Sequence, residues 1–334
     1  MQYSVLEPVD RRRRRRRRRR GPLLLLVVAA ALAAGSLVLA DRWPRGHSVR
    51  AQPAPKVAAP ATRRHVVVRR AVPHPRPLIG WRLPRRMHVF APPLRAPEAI
   101  LVNAATGAVL YAKRPHERRA IASTTKIMTA VLALDHLALG RRLKINPMVT
   151  RVPLLREGLR ARERVPAWKL MYGLLLFSGN DDALELALAT SGSRGRFVAL
   201  MNEKARELGL RDSHFTTPSG VVDRGNYSSA WDLAALARYA MRDARFRRIV
   251  RTRIVHLRWS APTYEKVYVN KNPLLGRYRG ADGIKTGWTT IAGHCLVASA
   301  HRHGVRLIAV VLHSPNPYND ARRLLNFGFE LVPS

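Results

Sequence analysis

Cysteine, lysine and acidic side chains are all scarce in this 334-residue chain. The single thiol, Cys295, excludes an intramolecular disulfide, a cysteine-rich zinc site and a Cys-x-x-Cys redox pair. Only 21 Asp and Glu oppose 60 Lys and Arg, for a formal charge of +39. Lysine makes up 9 of those basic residues and arginine 51, so nearly all the positive charge is guanidinium, which does not give up its proton in proteins. There is no phosphate-cradling glycine loop, no dinucleotide fingerprint and no internal repeat. The 12 histidines are scattered, and His301 and His303 read as a surface pair, so neither a metal nor a cofactor is expected.

Positive charge is abundant, and in bulk it suggests nucleic acid. Its distribution argues otherwise. Ten arginines form one run, Arg11 to Arg20, directly before 18 uncharged residues, Leu23 to Ala40. As a helix that stretch reaches roughly 27 Å at about 1.5 Å per residue, enough to cross a bilayer's hydrocarbon core. The arginines would stay cytoplasmic. Residues 23–40 read either as an uncleaved membrane anchor or as a secretory signal with a small-residue site at Val38-Leu39-Ala40. In both readings the rest of the chain is exported, to the periplasm or the outer face of the membrane, which removes nucleic acid as a partner. Residues 41–97 carry 11 Pro and 13 Lys plus Arg against one acidic residue. That composition cannot bury enough apolar surface to offset chain entropy, and it predicts a disordered tether.

Residues 98–334 have the length of one domain with an insertion. Two β-type runs, 98–102 and 108–112, flank Asn103-Ala-Ala-Thr-Gly107 and predict a hairpin. From Ile127 to Leu139 apolar residues surround the helical projection, which predicts a buried central helix ending at Gly140. Further helices are expected over 166–177, 181–190, 194–208 and 229–241, the last with a serine cap. Strands are expected at 254–257, 266–270, 294–300 and 305–313, before a final helix near 320–327. Strands at both ends bracket a helical middle, an α+β pattern.

Three short motifs carry chemistry. Ser123-Thr-Thr-Lys126 stands at the threshold of the central helix, where residues three apart share a face. A desolvated, unprotonated lysine can take the proton of a neighbouring serine and make it a nucleophile; arginine cannot. The spacing also suits a serine helix cap with a solvent-facing lysine. Ser178-Gly179-Asn180 lies between an apolar run and the next helix, where a tight turn can aim a hydroxyl and an amide into one cleft, or simply cap the helix. Lys285-Thr286-Gly287 offers a cation and a hydroxyl to an anionic group, with a glycine that permits close backbone approach. It is the most specific of the three, expected only about 0.02 times in a chain of this composition.

Together and in this order, the motifs resemble the serine penicillin-recognising enzymes, and more narrowly the low-molecular-weight D-alanyl-D-alanine carboxypeptidases. The likeness spans most of residues 98–330 and includes Ala122 to Ala130, Ser178 to Ala183, Thr217-Pro-Ser-Gly220, Asp282 to Thr289 and Leu296 to Ala300. It implies an antiparallel sheet flanked by helices, with a helical subdomain over about 127–225 forming one wall of the cleft. It implies Ser123 as the acyl-accepting nucleophile, Lys126 as its base, Ser178 as a proton relay and Asn180 as a holder of the substrate carbonyl. Lys285, Thr286 and Gly287 would bind the substrate's carboxylate end, and the backbone N–H groups of Ser123 and Trp288 would form the oxyanion hole. Substrates would be peptidoglycan stem peptides, with β-lactams trapped on the same serine; a β-lactamase or a D,D-endopeptidase would use the same site. Relatives often carry an arginine shortly before the final helix to grip the carboxylate. Asn316-Pro-Tyr-Asn319 offers none, leaving Lys285 or His313 for that task. The chain ends soon after Asn326-Phe-Gly-Phe329, with no room for the β-rich second domain of many relatives.

Overall fold

A computed structural model describes residues 78–81, 91–221, 225–259 and 264–332, all within one compact unit. The arginine run, the apolar segment 23–40 and most of the tether lie outside the described residues. Among the described residues no helix is long and apolar enough to cross a membrane.

The chain opens with a two-residue strand β1 (Gly80–Trp81), then the hairpin β2 (Glu98–Asn103) and β3 (Ala108–Lys113). A 3-10 turn, Ala122–Thr125, leads directly into α1 (Lys126–His136). The helical region continues through β4 (Arg142–Lys144), β5 (Arg164–Pro166), α2 (Ala167–Tyr172), α3 (Asn180–Ser191) and α4 (Arg194–Glu207). Then come α5 (Ala230–Ala240), α6 (Ala244–Val250), the hairpin β6 (Ile254–Trp259) and β7 (Tyr264–Val269), and the strands β8 (Ala281–Thr289), β9 (Gly293–Arg302) and β10 (Val305–Leu312). The last described element is α7 (Pro317–Leu331).

Six strands form one sheet in the order β1-β3-β2-β10-β9-β8, antiparallel except where β1 runs parallel to β3. The two-residue side-chain period divides β2 and β10 between two cores. Ile100, Val102, Ile308 and Val310 face α1 and α5, whereas Ala99, Leu101, Leu307, Ala309 and Val311 face α7 through Ala321, Leu324 and Leu325. Covered on both faces, the middle strands read as continuous apolar runs. β8 ends the sheet, so its outer edge is free to line a cleft.

The predicted elements recur with shifted ends. α1 is buried from Lys126 to Leu134, as its all-round apolar pattern requires. It stops at His136 rather than near Gly140, because Leu137 turns to an extended backbone and is itself buried. The helix expected over 166–177 is α2 followed by a π-type turn, Gly173–Phe177. Ser229 caps α5 by accepting the Asp232 N–H. The short α6 and the β4–β5 pair carry too few residues to show a period. Residues 78–81 and 91–97, assigned to the tether by composition, join the fold: Ile79 and Ala96 are buried, and the N–H groups of Arg95 and Ala96 donate to Asp320. A few anchored backbone groups were enough to order a segment whose composition is that of a linker.

Candidate active site

The 3-10 turn delivers Ser123 to the edge of β8, and α1 begins with Lys126 one turn later. The Lys126 ammonium nitrogen has no escape to solvent, since the residue is 0 % exposed. Its Nζ lies 2.9 Å from Ser123 Oγ, 2.9 Å from Asn180 Oδ1 and 3.1 Å from the Ser219 carbonyl. A neutral amine satisfies all three: it donates to Asn180 and Ser219, and its lone pair accepts the Ser123 hydroxyl proton. Burial, with a smaller push from Lys271, lowers the Lys126 pKa to about 7. A lysine that gives up its proton near neutral pH is therefore in contact with the serine. The alternative of a helix cap with a solvent-facing lysine is excluded by this burial.

The π-type turn positions the second motif. Its widened coil brings the N–H groups of Ser178 and Gly179 onto the Gly173 carbonyl and sets Ser178 in the left-handed region at φ 75°. Such turns are frequent at functional sites. The buried Ser178 Oγ makes no hydrogen bond among the described residues, so it is available to a third party. Asn180, the first residue of α3, is fixed on both sides: its Nδ2 donates to the Pro153 carbonyl and its N–H to the Leu155 carbonyl.

The third motif lies on β8, paired with β9 through Gly287 opposite Cys295 and Trp288 opposite His294. Lys285 is buried, and its Nζ donates to the Thr286 carbonyl at 3.0 Å. Burial, with Lys126 and Lys271 nearby, holds its pKa well below the ordinary lysine value. Cys295 sits beneath the same wall, and burial pushes its thiol up to about 11, so it remains protonated at neutral pH and does not compete as a nucleophile.

Ser123, Ser178, Asn180, Thr286, Gly287 and Trp288 line one cleft of about 720 Å³, a size suited to a small peptide. Lys126 and Lys285 are buried beneath it. Every residue singled out by the motifs is thus gathered at one place. His313 is not among the lining residues: its Nδ1 is in hydrogen-bonding contact with the Ala292 carbonyl, and His294 and Lys271 face the cleft instead. Sequence reasoning also missed the Ser219 carbonyl, which lies in the Thr217-Pro-Ser-Gly220 turn, and the lip formed by Leu154 and Leu155. Lysine's scarcity held a signal for Lys271: three of the chain's nine lysines, at 126, 271 and 285, meet here. Among the described residues no cluster of His, Cys, Asp or Glu is arranged to hold a metal ion.

A profile of the D-alanyl-D-alanine carboxypeptidases matches residues 85–316. The chain is 36% identical over 243 residues to the D-alanyl-D-alanine carboxypeptidase DacF of Bacillus subtilis, covering 70% of this chain and 62% of that protein. It therefore spans less than two thirds of that relative's length. It is 35% identical to the D-alanyl-D-alanine carboxypeptidase of Streptomyces sp. K15, covering 73% of this chain and 90% of that one. The crystal structure of the Streptomyces K15 DD-transpeptidase superposes with a TM-score of 0.69 at 33% identity, over 72% of this chain and all of that one. An evolved penicillin-binding protein homologue from Mycobacterium tuberculosis gives a TM-score of 0.69 at 32% identity, over 74% and 95% of the two chains. The sheet flanked by helices is the fold of these enzymes, and the chain belongs to the D-alanyl-D-alanine carboxypeptidase family.

Proposed function

We propose that the chain is a serine-type D-Ala-D-Ala carboxypeptidase that removes the terminal D-alanine of peptidoglycan stem peptides. The observation that carries this reading is the 2.9 Å contact between Lys126 Nζ and Ser123 Oγ in a site dry enough to bring the amine's pKa down to about 7. Lys126 takes the hydroxyl proton as Ser123 attacks the penultimate D-alanine carbonyl. The N–H groups of Ser123 and Trp288 receive the oxyanion charge. Ser178 passes a proton to the departing D-alanine amine, and Asn180 orients both Lys126 and the peptide amide. Lys285 and Thr286 bind the substrate carboxylate, with Lys271 supplying the cation that relatives place before the final helix. Water then releases the shortened peptide from Ser123.

A β-lactam is the second acyl donor for Ser123. Among the described residues that line the cleft there is no Asp or Glu. The relatives' cell-wall chemistry supports action outside the cytoplasm, and the Arg11 to Arg20 run before the apolar residues 23–40 supports reading that segment as a signal or membrane anchor. Intact-protein mass spectrometry after penicillin, with D-alanine release from a synthetic pentapeptide, tests the reading. Wild type gains one adduct on Ser123 and releases D-alanine; Ser123→Ala does neither. Retained release in Ser123→Ala overturns the assignment.

A further inference from the structure

Behind the Ser178-Gly179-Asn180 turn lies a pair of carboxyl groups that the reaction above does not use. Asp182, two residues on from Asn180, is completely buried, and among the described residues neither of its oxygens receives an N–H or hydroxyl. Glu157, from the loop between Val152 and β5, has a side chain only 2 % exposed. Its Oε1 accepts Lys266 Nζ at 2.8 Å and its Oε2 accepts the Tyr268 hydroxyl at 2.6 Å. The two carboxyls converge on the space above Gly173, where a β-carbon would collide with Glu157 Oε2 and with both Asp182 oxygens. Gly179 leaves room for Asp182 in the same way.

Two carboxylates this close in a dry site cannot both be ionised. Glu157 is the one whose charge is compensated, by Lys266 and Tyr268. Asp182 has no donor, so its only satisfied state is the neutral acid, with its O–H directed to the Glu157 carboxylate. Burial raises the pKa of both groups, and Glu157 and Asp181 push Asp182 further up. The ionisable groups that face the pair are Asp181 from α3, Lys266 and Tyr268 from the β6–β7 hairpin, and Lys126 from α1.

The pair sits where the loop meets the catalytic turn. Asp181 accepts the N–H groups of Glu157, Gly158 and Leu159, and Asn180 reaches the carbonyls of Pro153 and Leu155. We propose that Asp182 and Glu157 are positioning residues that share one proton, and that this proton pins the 152–159 loop to α3 and so keeps Asn180 in contact with Lys126. The catalytic part of this inference rests on the reading of Ser123 and Lys126 as the acylating pair. Loss of the shared proton as pH rises leaves two facing negative charges and loosens the loop. Because folding raises the affinity of Asp182 for its proton, the stability the pin contributes is present at low pH and disappears as pH rises through the titration of the pair.

The test uses the full chain, its Asp182→Asn variant, which keeps a donor toward Glu157 without a titrating proton, and Asp182→Ala, which has none. Infrared spectroscopy of wild type at neutral pH shows a protonated-carboxyl stretch that Asp182→Asn lacks. Wild-type melting temperature falls as pH rises above the ordinary carboxylate range, and Asp182→Asn flattens that fall. Penicillin acylation drops about tenfold to a hundredfold in Asp182→Ala. Asp182→Asn restores most of it and abolishes the alkaline limb of the pH profile. An identical infrared spectrum in wild type and Asp182→Asn, or an unchanged alkaline limb, overturns the proposal. A wild type that is never acylated overturns the catalytic reading and the positioning role with it, whereas the shared proton is decided by the infrared band and the melting curves alone.

Discussion

A β-carbon at position 287 would lie 3.0 Å from the Ser123 backbone nitrogen and 3.0 Å from the Ile121 carbonyl oxygen. The missing side chain of Gly287 is what allows β8 to touch the turn that carries Ser123. Gly287→Ala forces the strand outward by a few tenths of an ångström and moves the Trp288 N–H away from the oxyanion. Acylation by penicillin is expected to fall about a hundredfold. Stopped-flow acylation checks this, with circular dichroism reporting an intact fold.

Lys126 sets the acid side of the pH dependence. Its pKa of about 7 means that the amine, the active form, accumulates as pH rises through that value. The acylation rate is expected to climb across neutrality and then level off until the Asp182–Glu157 pair titrates. Lys126→Arg, charged at every accessible pH, is expected to lose about 10²- to 10⁴-fold throughout. A pH profile of kcat/KM checks both statements.

Lys271 lines the cleft, and its charge helps to keep Lys126 neutral. Lys271→Met removes a like charge, so the Lys126 pKa rises and the acid limb moves to higher pH. The same substitution is expected to raise KM for a peptide ending in a free carboxylate more than for its C-terminal amide. Comparison of the two substrates at a pH on the plateau separates carboxylate binding from the shift of the base.

Asp320, in the first turn of α7, accepts the N–H groups of Arg95 and Ala96 and the Ser314 hydroxyl. Asp320→Ala strands buried donors and is expected to cost about 3 kcal/mol of stability. Urea unfolding measures the loss. Truncation before residue 98 is expected to destabilise the fold by a comparable amount, because it removes the partners of the same carboxylate.

Much of the site was legible because its groups are local. Ser123 and Lys126 are one helical turn apart, and Lys285, Thr286 and Gly287 are contiguous, so residue type and spacing carry the information. The pairing of Ser178 with its left-handed backbone was not legible, because the widened turn arises from packing of Gly173–Phe177 rather than from a periodic signal. The buried state of the Lys126 amine was expected only by resemblance. Burial itself is supplied by residues far along the chain, among them Ser219 and Asn180.

By itself the sequence determined the α+β order of elements, the buried central helix and the candidacy of Ser123 and Lys126 as nucleophile and base. These follow from apolar periodicity and from the chemistry of lysine against arginine, both of which act over a few residues. Tertiary structure alone decided that Lys271 lines the cleft, that the fold reaches back to residues 78–81, and that Asp182 meets Glu157. Each joins segments distant in sequence, brought together by the shared core, and no local pattern of residue types records such a meeting.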